Sequence, residues 1–353
     1  MRKKMERFLL FGMVALVISF GLNDLTFAKS EKIVWKAQST WSAGPGHQES
    51  AIYFAERVNK TSGGRLTIKM HSAGEIVGAF QSFDATCKGV LDLSIGTGLY
   101  LEGKIPGASL FCGTAASPLE NREEKLIWEY EEGGNELYNK VLKDRGFNVI
   151  RYPGNLILPA EPLWTKKPIN SLKDFKGLKV RASGWSMLVY KKMGASTMMM
   201  SLGDTIPALE KGVMDAAEFC VPYTDYPAGI HEICGYMYTG TNHQPTIIGD
   251  TFINRDSWKS LPDDLKELVK MALRDSQYWY FYHISYKNMN LFKKIKESGV
   301  KIERFNDEIQ NRFKEVGKEI AAEKSNIPFV AEALKSQNKV HDIASPYRKK
   351  MGW

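Results

Sequence analysis

Histidine and cysteine are scarce in this 353-residue chain, six and four residues respectively. Cys87, Cys112, Cys220 and Cys234 form no CxxC pair and stand at no zinc-type spacing from a histidine, which excludes the common structural zinc motifs. Four cysteines in a chain of this length also do not make a disulfide scaffold. Pairing among them stays open, and for Cys87 and Cys220, set in apolar stretches, a buried free thiol is the simpler reading. Catalytic signatures are missing as well. There is no HExxH, no GxSxG elbow, no Walker loop and no GxGxxG after a strand. His231-Glu232 lacks the second histidine of a zinc protease and reads as a surface pair.

Positive charge is present but dispersed. The formal net charge is +8, and Lys166-Lys167, Lys191-Lys192, Lys293-Lys294 and Arg348-Lys349-Lys350 are short separate clusters. None is interleaved with stacking aromatics or heads a zipper or finger pattern, so nucleic acid is not the expected partner. Some of the charge belongs to the N-terminus. Arg2, Lys3, Lys4 and Arg7 precede an uncharged apolar run, Phe8 to Leu22, and Thr26-Phe27-Ala28 supplies small residues beyond it. This is the layout of a secretory signal peptide, with an apolar run shorter than the ~20 residues a spanning helix needs. The expectation is export to the periplasm with cleavage near Ala28. Four basic and two acidic residues leave with residues 1–28, so +8 becomes +6. No cysteine precedes Cys87, which excludes a lipid anchor at that cleavage point.

The length suits two medium domains better than one core. Ile33 to Ser39 reads as a strand, Trp41 to Gly46 as a Gly/Pro loop, and His47 to Thr61 as a helix with Ile52, Phe54, Ala55 and Val58 on one face. Leu66 to Met70 is a strand, Ala79 to Cys87 a helix, and Val90 to Ile95 a strand. Strand and helix alternate, as in an α/β sheet with covered faces. A repeat then stands out: Lys88-Gly89-Val90-Leu91-Asp92-Leu93 returns as Lys211-Gly212-Val213-Met214-Asp215-Ala216. In each copy a helix ends at glycine and an acid opens the next strand. Upstream, Lys69 to Gly74 matches Lys179 to Gly184, each a strand leading into a small-residue turn. The repeat predicts two similarly wound α/β domains with a ligand cleft between them.

Beyond Pro245, Thr246 to Ile253 reads as a strand and Ser257 to about Glu297 as one long helical pattern ending at Gly299. Tyr278, Trp279, Tyr280, Phe281, Tyr282 and Tyr286 crowd its middle, a density expected of core packing. Val300 to Phe305 is a further strand, and Glu308 to Ser336 a helix interrupted near Pro328. Two residues carry binding chemistry. Arg181 ends a strand before a small-residue turn, where its forked donors suit a carboxylate. Glu218, within Ala216-Ala217-Glu218-Phe219-Cys220, sits among apolar residues and must have a partner. A structural ion pair, a cation and a ligand hydroxyl are all open as that partner.

Asp174-Phe175-Lys176-Gly177-Leu178-Lys179-Val180-Arg181, followed by Ala208-Leu209-Glu210-Lys211-Gly212-Val213-Met214-Asp215-Ala216-Ala217-Glu218, resembles the solute receptors of tripartite ATP-independent periplasmic (TRAP) transporters, in their dicarboxylate-receptor-like branch. Ser72-Ala73-Gly74-Glu75 and Ile247 to Asn254 fit the same pattern. The resemblance runs from Trp35 through the long helix. It implies a two-domain periplasmic-binding-protein fold, α/β, with a cleft between the domains and the helix 257–297 spanning both. The implied boundaries are 29–152 with about 246–275 for the first domain, and 153–245 with about 296–353 for the second.

The resemblance also implies roles. Arg181 matches the arginine that pairs with a substrate carboxylate. Glu218 to Asp225 is similar to the subgroup binding 2-oxo and 2-hydroxy monocarboxylates, where the glutamate and the main-chain carbonyl of the next residue, Phe219 here, help hold a metal ion. Glu161 falls where relatives carry a metal-ligating glutamine, and Asn155, Gln244, Trp41, Tyr100 and Tyr223 match other site positions. An extra carboxylate at Glu161 beside Glu218 favours a divalent cation such as calcium over sodium, and a protonated or turned-away Glu161 would leave no metal. The implied partners are a small organic acid and the membrane subunits of a TRAP transporter, with a homodimer left open. An aromatic or C4-dicarboxylic acid is the alternative cargo, although a dicarboxylate needs a second basic anchor that the sequence does not reveal. A periplasmic hydrolase is the alternative of another class.

Overall fold

The computed structural model describes residues 32–159 and 161–351, with the backbone alone over 155–159. The expected leader, residues 1–28, and the side chain of Asn155 lie outside the described residues. Among the described residues there are eleven strands: β1 Ile33–Ser39, β2 Leu66–His71, β3 Leu93–Gly96, β4 Val149–Pro159, β5 Leu163–Thr165, β6 Lys179–Arg181, β7 Ser196–Met198, β8 Ala216–Glu218, β9 Tyr236–Thr239, β10 Thr246–Asn254 and β11 Lys301–Arg304. The longer helices and those of the repeat are α1 His47–Thr61, α2 Ser82–Cys87, α3 Arg122–Tyr130, α4 Gly134–Asp144, α5 Leu202–Glu210, α6 Asp263–Glu297, α7 Asp307–Lys324 and α8 Pro328–Met351.

Two mixed sheets result, ordered β2-β1-β3-β10-β4 and β7-β6-β8-β5-β9-β11. They match position by position over five strands. β1 runs parallel to β3 as β6 does to β8, and the next neighbours, β10 and β5, are antiparallel to β3 and β8. The sequence repeat lies at the heart of this correspondence. α2 and α5 end just before Gly89 and Gly212, whose φ values of 73° and 72° are left-handed, open to glycine and strained for other residues. Asp92 and Asp215 then do the same work: the main-chain N–H of Lys36 donates to Asp92 Oδ2 at 2.7 Å, and that of Lys179 to Asp215 Oδ2 at 3.0 Å. Each acid stitches the strand after the repeat to its parallel neighbour. This corrects the upstream match. The counterpart of β6 is β1, not β2, because β1 is the strand that the repeat's acid holds.

α1 begins at His47, after the Trp41–Gly46 loop. Glu49 reaches back to accept from Gly46 N–H at 3.1 Å, and Ala51, Phe54, Ala55 and Val58 are buried beneath the helix. β4 has no counterpart among the expected strands, because Pro153-Gly154 breaks its pattern. It is nonetheless paired with β10 over most of both strands, with the register shifting between Ile248 and Asp250. There the backbones approach closely: a Cβ on Gly154 would stand 2.4 Å from the carbonyl carbon of Gly249. β4 leads into β5 of the other sheet, and β9 returns to β10, so this long pair is the crossing between the two halves.

The helical pattern from Ser257 is divided by Leu261-Pro262 into Arg255–Ser260 and the 35-residue α6. α6 packs on β4 and α1 and also on the short helix Pro222–Asp225, so it contacts both halves. Its aromatics are not all core. Tyr280 is fully buried, whereas Tyr278, Tyr282 and Tyr286 are exposed, with Met271 and Met289 on the same side. α8 packs on α3 and α4. Among the described residues no helix is long and apolar enough to cross a membrane.

Beneath the first sheet lies a buried charge network. Arg151 Nε meets Asp250 Oδ1 at 2.7 Å and its Nη1 meets Glu129 Oε2 at 2.5 Å, with all three side chains sealed from solvent. Burial works against the guanidinium charge, but the two carboxylates outweigh it and hold Arg151 protonated. Lys125 adds a second cation, 3.4 Å from Glu129.

Candidate functional site

The site lies beyond the carboxyl ends of β3, β6 and β8, the place where open α/β sheets present ligands. The turn after β3 supplies Thr97, Leu99 and Tyr100. It is fixed from below, since Gly98 N–H donates to Asp250 Oδ2 at 2.6 Å, and Asp250 is held by Arg151. Trp41 and His47 enter from the loop and the first residue of α1, and their rings meet edge to face at 4.9 Å. Opposite stand Glu161, Arg181, Ser183, Leu202 and Phe219, while Ile247 and Gly249 of β10 close the floor. These residues line a narrow crevice with a free volume of about 30 Å³, so its walls stand nearly in contact and must part to admit an organic ligand. Trp41, His47, Leu202 and Phe219 also wall a neighbouring crevice beside Ser42–Pro45.

Arg181 is 2% exposed. Its Nη1 donates to the main-chain oxygen of Glu218 at 2.6 Å, and Nε and Nη2 donate to that of Met200 at 3.2 and 3.0 Å. Three of five donors are thus spent on backbone carbonyls that fix the fork. Burial pushes the Tyr100 hydroxyl upward in pKa, and the charge and hydrogen bond of Arg181 pull it back. Of the described side chains lining the crevice, Arg181 is the only lysine or arginine.

The acids divide by surroundings. Glu218 Oε2 lies 3.1 Å from His243 Nε2, and Ser183 Oγ donates to Glu218 Oε1 at 3.1 Å. Burial alone would raise its pKa, but His243 and then Arg181 hold it below the usual carboxylate value. Glu161 has only the charge of Arg181 acting to lower it, and lacks a counterpart of His243. Burial pushes its pKa well up, and the nearby carboxylates of Glu218 and Asp225 add to the effect. Asp225, whose Oδ2 accepts from Trp164 Nε1 at 2.7 Å, is likewise raised by burial. A cluster of buried acids facing one arginine is short of positive charge, and that is the chemistry a cation would complete.

The structure therefore brings together Trp41, Tyr100, Glu161, Arg181 and Phe219 of the residues expected from the sequence. Glu218 is adjacent, but its carboxylate faces His243 and Ser183 rather than the crevice. Gln244 is fully buried, with neither its side-chain oxygen nor its nitrogen hydrogen-bonded. Tyr223 stands apart, half-buried, its hydroxyl donating to Glu49 Oε1 at 3.3 Å. The sequence reading missed His47, Ser183, Cys220 and His243. His243 adjoins Gln244 and Cys220 follows Phe219, so proximity to motif residues was the available signal. For His47 there was none beyond its place after the Trp41 loop. All four cysteines are free thiols.

Known proteins resemble this chain over most of its length. The family model described as "Bacterial extracellular solute-binding protein, family 7" matches residues 37–326. A protein of Nostoc sp. named a monocarboxylate 2-oxoacid-binding periplasmic protein is 27% identical over 292 residues, covering 83% of this chain and 79% of the relative. The solved TRAP periplasmic solute-binding protein of Pseudoalteromonas atlantica, with bound sodium and pyruvate, superposes with TM-score 0.83 at 26% identity, covering 90% of this chain and 97% of that one. One from Colwellia psychrerythraea, with bound calcium and pyruvate, gives TM-score 0.83 at 27% identity and the same coverage.

Proposed function

The chain belongs to family 7 of the bacterial extracellular solute-binding proteins, and from that premise we propose that it binds a small 2-oxo or 2-hydroxy monocarboxylate and delivers it to the membrane subunits of a TRAP transporter. The observation that carries the reading is Arg181, a buried guanidinium with fixed geometry and the single strong cation lining a small crevice. One carboxylate can be neutralised there, and a second would be buried beside Glu161 without a partner. That disfavours a C4 dicarboxylate. Trp41, Tyr100 and Phe219 shape the wall, with Asn155 and Gln244 as further polar contacts and Tyr223 acting through the rim. No bond is made or broken, so the protein is a receptor rather than a hydrolase. It works in the periplasm, after cleavage near Ala28.

The same reading divides the mature chain into 29–152 with about 246–275, and 153–245 with about 296–353. The domains close about the β4–β5 and β9–β10 crossings, and α8 docks back on the first domain. Burying the carboxylate and shutting the cleft are then one event. A thermal-shift panel of 2-oxo, 2-hydroxy, aromatic and dicarboxylic acids tests it: 2-oxo or 2-hydroxy monocarboxylates should give the largest stabilisation, without product formation. Stabilisation by dicarboxylates alone, or turnover of any compound, overturns it.

A cation belongs to this reading. Calcium or sodium would be held by Glu161, Glu218 and the main-chain oxygen of Phe219, with Glu218 turning from Ser183. A hard cation there supplies positive charge to the acidic side of the site and takes oxygen ligands. Chelation should weaken pyruvate binding by about 5- to 150-fold, the usual range for coupled ligands, and added calcium should restore it. Unchanged affinity both after chelation and in sodium-free buffer removes the cation from the account.

The exposed stripe on α6 supports a homodimer. Tyr278, Tyr282, Tyr286 and Met289 recur at helical spacing and are 59–73% exposed. A second copy packing its own stripe there would bury them. Tyr282→Lys together with Met289→Lys should convert a dimer to a monomer in light scattering. A wild-type chain that is monomeric at high concentration contradicts this.

A further inference from the structure

His47, Cys220 and Glu161 form a second kind of constellation, which shares Glu161 with the calcium or sodium site proposed above, so the two ions compete for that carboxylate. They come from three distant parts of the chain: the first turn of α1, the loop after β8, and the approach to β5. All three are buried, and one donor atom from each lies within 4.8 Å of the others. Among the described residues this is the one group of three or more histidine, cysteine, aspartate and glutamate side chains so placed. His47 Nε2 stands 2.8 Å from Cys220 Sγ. Its other ring nitrogen, Nδ1, is 2.6 Å from the Tyr280 hydroxyl on α6.

We propose that His47, Cys220 and Glu161 bind a divalent transition-metal ion of the zinc type, linking the two halves of the molecule. The donor set is imidazole nitrogen, thiolate sulfur and carboxylate oxygen. Zinc and its congeners accept this combination, whereas calcium and sodium prefer oxygen alone. Tyr280 has the position of the outer partner that metal-bound histidines usually have, fixing the ring and leaving Nε2 free to ligate. Charge also balances. A dication with one thiolate and one carboxylate is neutral, so it can be enclosed beside Arg181 without a further counter-ion. The Cys220 thiol releases its proton to solvent as the ion enters.

Reach is sufficient. Metal–sulfur and metal–nitrogen bonds of ~2.3 and ~2.0 Å in a tetrahedral site place S and N about 3.5 Å apart. The 2.8 Å pair therefore opens by roughly 0.7 Å, within side-chain rotation. His47 and Glu161 also line the crevice, from which a fourth ligand would be supplied. Burial also argues against a nucleophilic role for Cys220: it raises the thiol pKa well above the ordinary value, with the carboxylates of Glu161 and Asp225 adding to the effect, so no thiolate stands ready in the metal-free protein.

The test is a cobalt(II) titration of the reduced mature chain with no organic acid present, followed by absorbance. One equivalent should develop a thiolate-to-cobalt charge-transfer band together with the visible bands of a tetrahedral site, and zinc should bleach both. Cys220→Ser should lose the charge-transfer band although Cys87, Cys112 and Cys234 remain. Tyr280→Phe, which removes only the outer partner, should bind cobalt about 10- to 100-fold more weakly. Absence of the charge-transfer band in the wild-type protein overturns the proposal, as does its persistence in Cys220→Ser. Because no acid is present, either result leaves the receptor reading to its own test.

Discussion

Arg181→Ala should bind pyruvate weakly or not at all. Under the proposed function the carboxylate would meet a guanidinium already locked by the carbonyls of Glu218 and Met200, so little conformational entropy would be lost on binding. Removing one partner of a buried, hydrogen-bonded charge pair costs about 2–5 kcal/mol, or roughly 30- to 5,000-fold in affinity. Arg181→Lys keeps the charge but not the fork, and should fall between. The three donors of Arg181 also serve the fold, so Ala leaves two carbonyls in need of water. A modest loss of stability should therefore accompany the loss of binding, with the circular dichroism spectrum unchanged. Calorimetry showing near-wild-type affinity in Arg181→Ala would falsify the role given to this residue.

The second large effect is on stability. Arg151→Met leaves Glu129 and Asp250 buried without their main cation, and breaking a buried ion pair from one side costs about 3–5 kcal/mol. Urea denaturation at neutral pH should show that loss. The consequence should reach the site as well. Asp250 accepts from Gly98 N–H, and Gly98 belongs to the turn that presents Thr97 and Tyr100. Ligand affinity should fall with stability, even though Arg151 touches no ligand. A loss below about 1 kcal/mol, the scale of an exposed pair, would show that the network is hydrated rather than sealed.

Much of this architecture is legible in the chain because it is written twice. Gly89 with Asp92 and Gly212 with Asp215 each combine a left-handed helix end with an acid that stitches parallel strands, so the repeat was a direct trace of geometry. Arg181 stood out because it ends a strand before a small-residue turn, and it does end β6 at the edge of the crevice. The rest depends on contacts that sequence spacing does not encode. His47 and Cys220 are separated by 173 positions yet meet at 2.8 Å. Glu218 was recognised as buried and in need of a partner, but His243 as that partner follows from how β10 and its approach pack. On α6 the aromatic pattern did not say which residues face in: Tyr280 turns toward His47 while Tyr282 faces out. Strands of three residues, such as β5, β7 and β8, are too short to show a period.

The most direct test of the receptor account is calorimetric titration of the mature chain with pyruvate in the presence of calcium, beside an identical titration with succinate. The account predicts saturable one-site binding of pyruvate, lost in Arg181→Ala, and no measurable binding of succinate at the same concentrations. Tighter binding of succinate than of pyruvate, or no binding of any 2-oxo or 2-hydroxy monocarboxylate by the folded protein, would contradict it.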